Sequence, residues 1–425
     1  MLMIYSLIVF LLLVFMGVPI YFSFGLTATF ACIAGGLPLQ IIAQRLMIGM
    51  DSFVLLAVPG FILAGEIMVQ GGISKRIVDF SNAVVGHLKG GLTMVTVLTS
   101  MIIGGIAGSA VAETAATASI LVPSLVKEKY PKEFAAALVG TAGPVGNIIP
   151  PSIPMVVYSL VSGLSLLDLF LAGYLPGMII GFSLMGYCYL VCKKRGYGRA
   201  TTRFSVWNLL IAFKRSVLAL LIPVVIVGGI VTGVFTPTES AMIAAVYSLI
   251  VSIHIYKEMN WVGLPRILLT TAKASAKLVM IMGAGSVFSY ISINEGIPEL
   301  FKNFMLGVSS NQYVILLILN FIFIFAGCLI DILVATIIFV PVLIPLQQAL
   351  GLDPLHIAMI FIINLSIGLL TPPVGYSLYV ASAISGVSIE KVSRHALPFV
   401  AIMFGILGLM TIFPQLTVAV PGLFH

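Results

Sequence analysis

Two proline pairs interrupt apolar segments of this 425-residue chain, and each closes a run that opens on glycine. The runs are Gly146-Asn147-Ile148-Ile149-Pro150-Pro151 and Gly368-Leu369-Leu370-Thr371-Pro372-Pro373. Proline has no amide hydrogen and disfavours helical geometry in the residue before it, so carbonyls one turn earlier lose their partners. Bared carbonyls at the C-terminal end of a half-helix suit a dehydrated Na+, and the N-terminal end of the next half-helix suits a carboxylate. This is chemistry of binding and carrying. An enzyme would want His, Asp, Glu or a metal cluster at one depth, and the five scattered His do not supply one.

The two runs lie 222 positions apart, and the same shift relates Val122-Pro123 to Ile344-Pro345 and Leu175-Pro176 to Leu397-Pro398. Within one or two residues of it, Gly72-Ile73 matches Gly296-Ile297, Arg45 matches Arg266 and Gly163 matches Gly386. The chain is therefore a duplicated unit with a glycine and proline interruption in each copy, the pattern of a secondary transporter.

Each interruption needs an element to face it. Gly104-Gly105-Ile106-Ala107-Gly108-Ser109-Ala110 separates two apolar stretches too short to be comfortable crossings, so about 92–126 reads as a re-entrant hairpin with its tip at 105–114. Backbone exposed at membrane depth is tolerated only where protein buries it or it lines a cavity. The first broken helix follows at about 134–162. In the second half, a hairpin at about 313–346 has its tip at 325–331, and a broken helix covers about 357–385. Two Na+ sites related by a pseudo-two-fold are expected, with the substrate between the tips. Glu113 and Asp331 stand close to these sites, either behind the ligands as tuners of local charge or as helix caps and interhelical hydrogen-bonding groups. Glu239, after Thr236-Pro237, has the pattern of a helix cap. No Lys, Arg or His falls within 92–126, 140–165, 313–355 or 357–389. These elements must then hold an anion through helix ends, hydroxyls, amides and Na+ itself, which makes sodium binding a precondition for anion binding.

Composition defines the class. Sixty per cent hydrophobic residues, 8% charged residues and a mean hydropathy of +1.19 describe an all-α polytopic membrane protein. The four cysteines sit in apolar stretches as filler. Seven of the 21 Lys and Arg (Lys193, Lys194, Arg195, Arg199, Arg203, Lys214, Arg215) fall between the repeats. A first repeat is thus expected over 1–192, a basic cytoplasmic linker over 193–216 and a second repeat over 217–425. No Lys or Arg precedes Arg45 or follows Arg394. With both ends outside and the linker inside, each half crosses an odd number of times, so the repeats are inverted. The +7 net charge is this positive-inside signal and makes no case for nucleic acid. Segments 41–53, 73–89, 264–277 and 297–303 are polar enough to predict arms lying along the interface.

Three stretches carry a family resemblance. Gly143-Pro144-Val145-Gly146-Asn147-Ile148-Ile149-Pro150-Pro151-Ser152, Gly233-Val234-Phe235-Thr236-Pro237-Thr238-Glu239-Ser240-Ala241 and Leu370-Thr371-Pro372-Pro373-Val374-Gly375 are similar to signature stretches of the large membrane (M) subunit of TRAP transporters, the tripartite ATP-independent periplasmic transporters. The resemblance covers essentially the whole chain. It implies a Na+-driven importer of organic acids such as sialic acid or C4-dicarboxylates, in a bacterial or archaeal inner membrane with both termini periplasmic. It also implies an elevator-type fold in which a transport domain slides against a scaffold. The implied partners are a small four-helix membrane subunit (Q type), here expected as a separate polypeptide, and a periplasmic substrate-binding protein (P type).

By position, the resemblance places the second Na+ site at Gly327, Gly368, Thr371 and Val374. It places the first at Gly108 or Ser109 with Gly146, Ile149 and Ser152. The hairpin tips align best at a shift of 219, which leaves Gly105, Gly108 and Ser109 as alternatives at the first tip. Asn147 and the prolines Pro150, Pro151, Pro372 and Pro373 are the substrate-pocket candidates. A stand-alone Na+/dicarboxylate elevator carrier needing no binding protein shares these features, and dependence on a binding protein separates the two. There is no G-x-x-x-x-G-K-[ST] phosphate loop.

Overall fold

The computed structural model describes residues 2–198 and 205–424, and among these every regular element is a helix and there is no strand. Arg199 and Arg203 lie outside the described residues. The first half runs α1 (Leu2–Phe15), α2 (Ile20–Ala34), α3 (Gln40–Met50), α4 (Ala57–Gln70) and α5 (Ile73–Val85). It continues with α6 (Gly91–Ala107), α7 (Ala110–Lys127), α8 (Lys132–Ala142), α9 (Ile153–Ser162) and α10 (Leu166–Arg195). The second half opens with α11 (Val206–Val231), α12 (Pro237–Ile250), α13 (Leu264–Asn294) and α14 (Ile297–Val308). It closes with α15 (Gln312–Leu329), α16 (Ile332–Leu350), α17 (Pro354–Gly368), α18 (Tyr376–Ser385), α19 (Ile389–Ile412) and the short α20 (Gln415–Val418). Among the described residues, eight helices are long and apolar enough to cross a membrane, or nine if α3 and α4 count as one bent span.

Element by element the second half repeats the first, apart from the short α20 at its end and one further place. Where α13 is a continuous helix of 31 residues, its first-half counterpart is split into α3 and α4, bent by 59° at the break. Asp51 and Ser52 leave the helix there, and Pro59 is accommodated in the first turn of α4, where an amide hydrogen would have no partner. Segment 264–277 is therefore no separate arm. It is the opening of a full-length helix, and Lys273 and Lys277 ride on it. Segments 73–89 and 297–303 do fall on short amphipathic helices, α5 and α14, and α5 buries Ile73, Ile77 and Val85 on one face. Between the halves, α10 continues to Arg195 and α11 starts at Val206, so Lys214 and Arg215 are helical and the connection is shorter than 193–216.

The helices pack as two groups. An outer frame comprises α1–α5 and α11–α14, in which α4 lies on α12, α13 on α2 and α3, and α5 on α11. An inner group holds both hairpins (α6–α7 and α15–α16), both broken helices (α8–α9 and α17–α18), α10 and α19. Its halves interlock, since α7 packs on α18 and α16 on α9. At the centre, Phe361 of α17 meets Phe323 of α15 edge-on at 4.9 Å and Tyr158 of α9 at 5.6 Å, all three fully or nearly fully buried. Helix α17 is apolar and buried on every side from His356 to Gly368, as a helix at the heart of a membrane bundle must be. Frame and inner group meet where α5 crosses α6 and where α13 and α14 cross α16.

Candidate functional site

The first break begins where α8 ends at Ala142. A 3-10 turn over Gly143–Asn147 and a non-helical stretch to Ser152 precede α9. The second begins after Gly368 and ends at Gly375, the left-handed residue (φ 59°) that opens α18. Pro150-Pro151 and Pro372-Pro373 are both cis. Local hydrogen bonds hold the first break in shape. The Asn147 side-chain carbonyl accepts the Ala110 amide at 3.0 Å, which ties the break to the start of α7. The Ser152 hydroxyl donates to the Asn147 main-chain carbonyl at 2.6 Å. At the second break the Thr371 hydroxyl donates to the Ile367 carbonyl at 3.0 Å.

Each hairpin reaches its own broken helix through a glycine–glycine contact. A Cβ built on Gly146 would lie 2.4 Å from the Gly104 Cα, and one on Gly368 would lie 2.6 Å from the Gly327 Cα. No side chain fits at either crossing, so the main chain of α6 lies directly on the first break and that of α15 on the second. The contacts also correct the register of the tips. The two-residue tips are Gly108-Ser109 and Ile330-Asp331, and α7 and α16 start at Ala110 and Ile332. These pairs stand 222 apart, in place of the expected shift of 219. Ser109 and Asp331 are thus counterparts, and both cap a helix. Ser109 Oγ accepts the Ala112 amide at 3.5 Å, and Asp331 Oδ1 accepts the Leu333 amide at 2.9 Å.

Glu113 fills the space beside the first glycine crossing. It is fully buried, and its Oε2 would lie 1.9 Å from a Cβ on Gly146 and 2.5 Å from one on Gly104. The Ser100 hydroxyl is beside it, and no Lys, Arg or His among the described residues pairs with it. Its second-half counterpart is Ala335, so only the first crossing carries a carboxyl group. Glu239, by contrast, caps α12 in a reciprocal arrangement with Thr236, as its sequence context implies.

Both tips open on one cavity of about 340 Å3, within the range of small-molecule sites. Gly108, Ser109 and Asn147 line it from the first half, and Asp331 and Leu369 from the second. The opposite wall is the frame, through one face of α4 and one face of α13. Of the other sequence-derived candidates, Gly146, Ile149, Pro150, Pro151, Ser152, Gly327 and Gly368 are buried behind this cavity. Thr371 and Val374 are half-buried and Pro372 and Pro373 exposed, and none of the four lines it. Lys277 and Glu66 line the cavity although sequence reasoning did not place them there. The available signal was the spacing of Ala274, Lys277, Leu278 and Ile281, a single helical face that continues past the proposed arm. A second cavity of about 660 Å3, with Arg45 and Glu299 in its wall, contains neither tip and neither break.

Paired hairpins and broken helices around a midpoint cavity define a membrane transporter with an internal repeat. Residues 7–416 match the family model described as Tripartite ATP-independent periplasmic transporter, DctM component, and the chain belongs to this family of large permease subunits. It is 36% identical to the sialic acid TRAP transporter large permease protein SiaM of Vibrio cholerae, over 97% of this chain and 96% of that one. It is 37% identical to the 2,3-diketo-L-gulonate TRAP transporter large permease protein YiaN of Escherichia coli, over 89% of each. It is also 36% identical to the isethionate TRAP transporter permease protein DctMQ of Oleidesulfovibrio alaskensis, covering 97% of this chain but 65% of that longer one. Among solved structures, the YdaH transporter of Alcanivorax borkumensis shares the fold, with a TM-score of 0.55 at 15% identity over 84% of this chain and 86% of that one.

Proposed function

We propose that this chain is the translocating subunit of a Na+-coupled importer of a carboxylate-bearing organic acid. It works with a small membrane subunit and a periplasmic binding protein, in a bacterial inner membrane with its termini outside. The observation that carries the reading is the matched pair of glycine crossings, Gly104 on Gly146 and Gly327 on Gly368. Each presses hairpin main chain against a helix break, which is where unpaired carbonyls can replace the water around a small cation. One Na+ sits at each crossing, and the acid sits between the tips in the cavity lined by Ser109, Asn147 and Asp331. The inner group carries this cargo as a unit and slides against the frame. The relatives named for sialic acid and 2,3-diketo-L-gulonate, with one of Pseudomonas aeruginosa named for C4-dicarboxylates at 36% identity, make these acids the substrates to try first.

The energetics suffice without ATP. Two Na+ entering with a monoanion move one net charge, worth about 2.3 kcal/mol per 100 mV. A tenfold Na+ gradient adds about 1.4 kcal/mol per ion. Together they come to about 5 kcal/mol and sustain accumulation of roughly several thousandfold.

Uptake into proteoliposomes holding this chain and its small membrane partner tests the proposal. Uptake that requires both an inward Na+ gradient and the binding protein is the expected result. Sodium-driven uptake without the binding protein points to a stand-alone carrier, and uptake indifferent to sodium sinks the two-site scheme.

A further inference from the structure

The cavity between the tips has a basic residue in its wall, and that residue belongs to the frame. Lys277 stands thirteen residues into α13, about 20 Å along the helix axis from Leu264. It shares one helical face with Ala274, Leu278 and Ile281, and all four line the cavity. Across the space are the main chain of the first tip, Asn147 and Leu369. Two acids share the cavity with Lys277, and each has another engagement. Asp331 Oδ1 accepts the Leu333 amide at 2.9 Å, and Glu66 Oε2 accepts from Gln70 Nε2 at 3.4 Å. Lys277 is exposed and forms no hydrogen bond or ion pair among the described residues. A charge held on a helix flank inside a spanning segment is costly unless it has water or a counter-ion, and marks a ligand path.

We propose that Lys277 binds the carboxylate of the transported acid in the conformation described here. The proposal rests on the reading above and extends it. The Lys, Arg and His residues of the inner group's hairpins and broken helices, Lys127, Lys132 and His356, do not line this cavity, so the ammonium facing it comes from the frame. Cargo carried by the inner group then meets Lys277 in one position of that group and leaves it behind in the other. Lys277 is thus a conformation-specific binding residue, set apart from the ligands that travel with the cargo.

Two measurements on the complex test this. In the first, Ala274→Cys provides a thiol on the Lys277 face of the cavity, and its reaction rates with an anionic and a cationic methanethiosulfonate reagent are compared. Adding Lys277→Gln should lower the anionic-to-cationic rate ratio several-fold, while Lys277→Arg preserves it. An unchanged ratio overturns the assignment whatever the transport results. In the second, uptake of sialic acid, succinate and 2,3-diketo-L-gulonate is measured as probes. Lys277→Gln should raise the apparent KM of the accepted acid about tenfold or more, with Lys277→Arg restoring it. A loss confined to kcat, with KM and the reagent ratio intact, contradicts a binding role. If the unmodified complex accepts no carboxylate, the transport reading fails, and the reagent ratio alone decides whether Lys277 draws anions into the cavity.

Discussion

At the residue scale, the glycine crossings make the sharpest claims. Gly146→Ala puts a methyl group 2.4 Å from the Gly104 Cα and 1.9 Å from Glu113 Oε2, and the main-chain contact cannot be relieved by a rotamer change. We expect a loss of about 1–3 kcal/mol in thermal stability and the collapse of sodium-driven uptake. Gly186→Ala is the control, because nothing lies within 4 Å of that Cβ and alanine favours helix there. A wild-type melting curve and uptake rate for Gly146→Ala would count against the close approach. Asn147 gives a second case. Asn147→Ala strands the buried Ala110 amide and should cost about 1–3 kcal/mol, while Asn147→Asp keeps an acceptor and should recover part of that. The glycines, the prolines and Asn147 were legible in the sequence as interruptions at matched places. Which glycine touches which was not, because Gly104, Gly105 and Gly108 are equivalent in composition and only packing selects Gly104. Lys277 was only partly legible, since its helical face could be read from the spacing but not what that face meets. Periodicity showed a polar stretch, and only the continuity of α13 turns that stretch toward a cavity.

At the element scale, a buried polar chain fastens the second hairpin to the bundle. Asn364 on α17 donates to Asn320 on α15 at 2.7 Å, and Asn320 donates to Thr411 on α19 at 3.0 Å. No counterpart exists in the first half, where Leu98 and Ala142 occupy the positions of Asn320 and Asn364. Asn320→Ala removes both of these buried hydrogen bonds, while Asn364 and Thr411 each keep one to a main-chain carbonyl, and should destabilise the complex by about 1–2 kcal/mol. Melting of the detergent-solubilised complex measures it, and a change below a few tenths would show that the chain bears no weight. The attachment of α5 is different in kind. Arg76 pairs with Glu258 at 2.8 Å and lies over the Tyr256 ring at 3.6 Å, but at the surface. Arg76→Ala should cost only about 1 kcal/mol. Hairpins and broken helices could be drawn from sequence to within a few residues, since glycine and proline punctuate them. The arms could be drawn only in part: 73–89 and 297–303 fall on short amphipathic helices, but at 264–277 polarity alone does not distinguish a separate helix from the first turns of a longer one.

At the scale of the whole molecule, the account requires the inner group to move against the frame. Their contact surface offers a place to stop that motion. A Cβ built on Gly285 of α13 lies 3.4 Å from the Ile337 Cβ of α16, close to the separation a disulfide spans. The four native cysteines are free, and replacing them with alanine leaves the introduced pair as the one that oxidises. Gly285→Cys combined with Ile337→Cys therefore joins frame to second hairpin. The decisive measurement is carboxylate uptake by this double variant in proteoliposomes, before oxidation, after it, and after reduction. The account predicts that uptake present in the reduced protein is abolished by the cross-link and restored when it is broken. Undiminished uptake by fully cross-linked protein would contradict it, since the cargo would then cross without any sliding of the inner group.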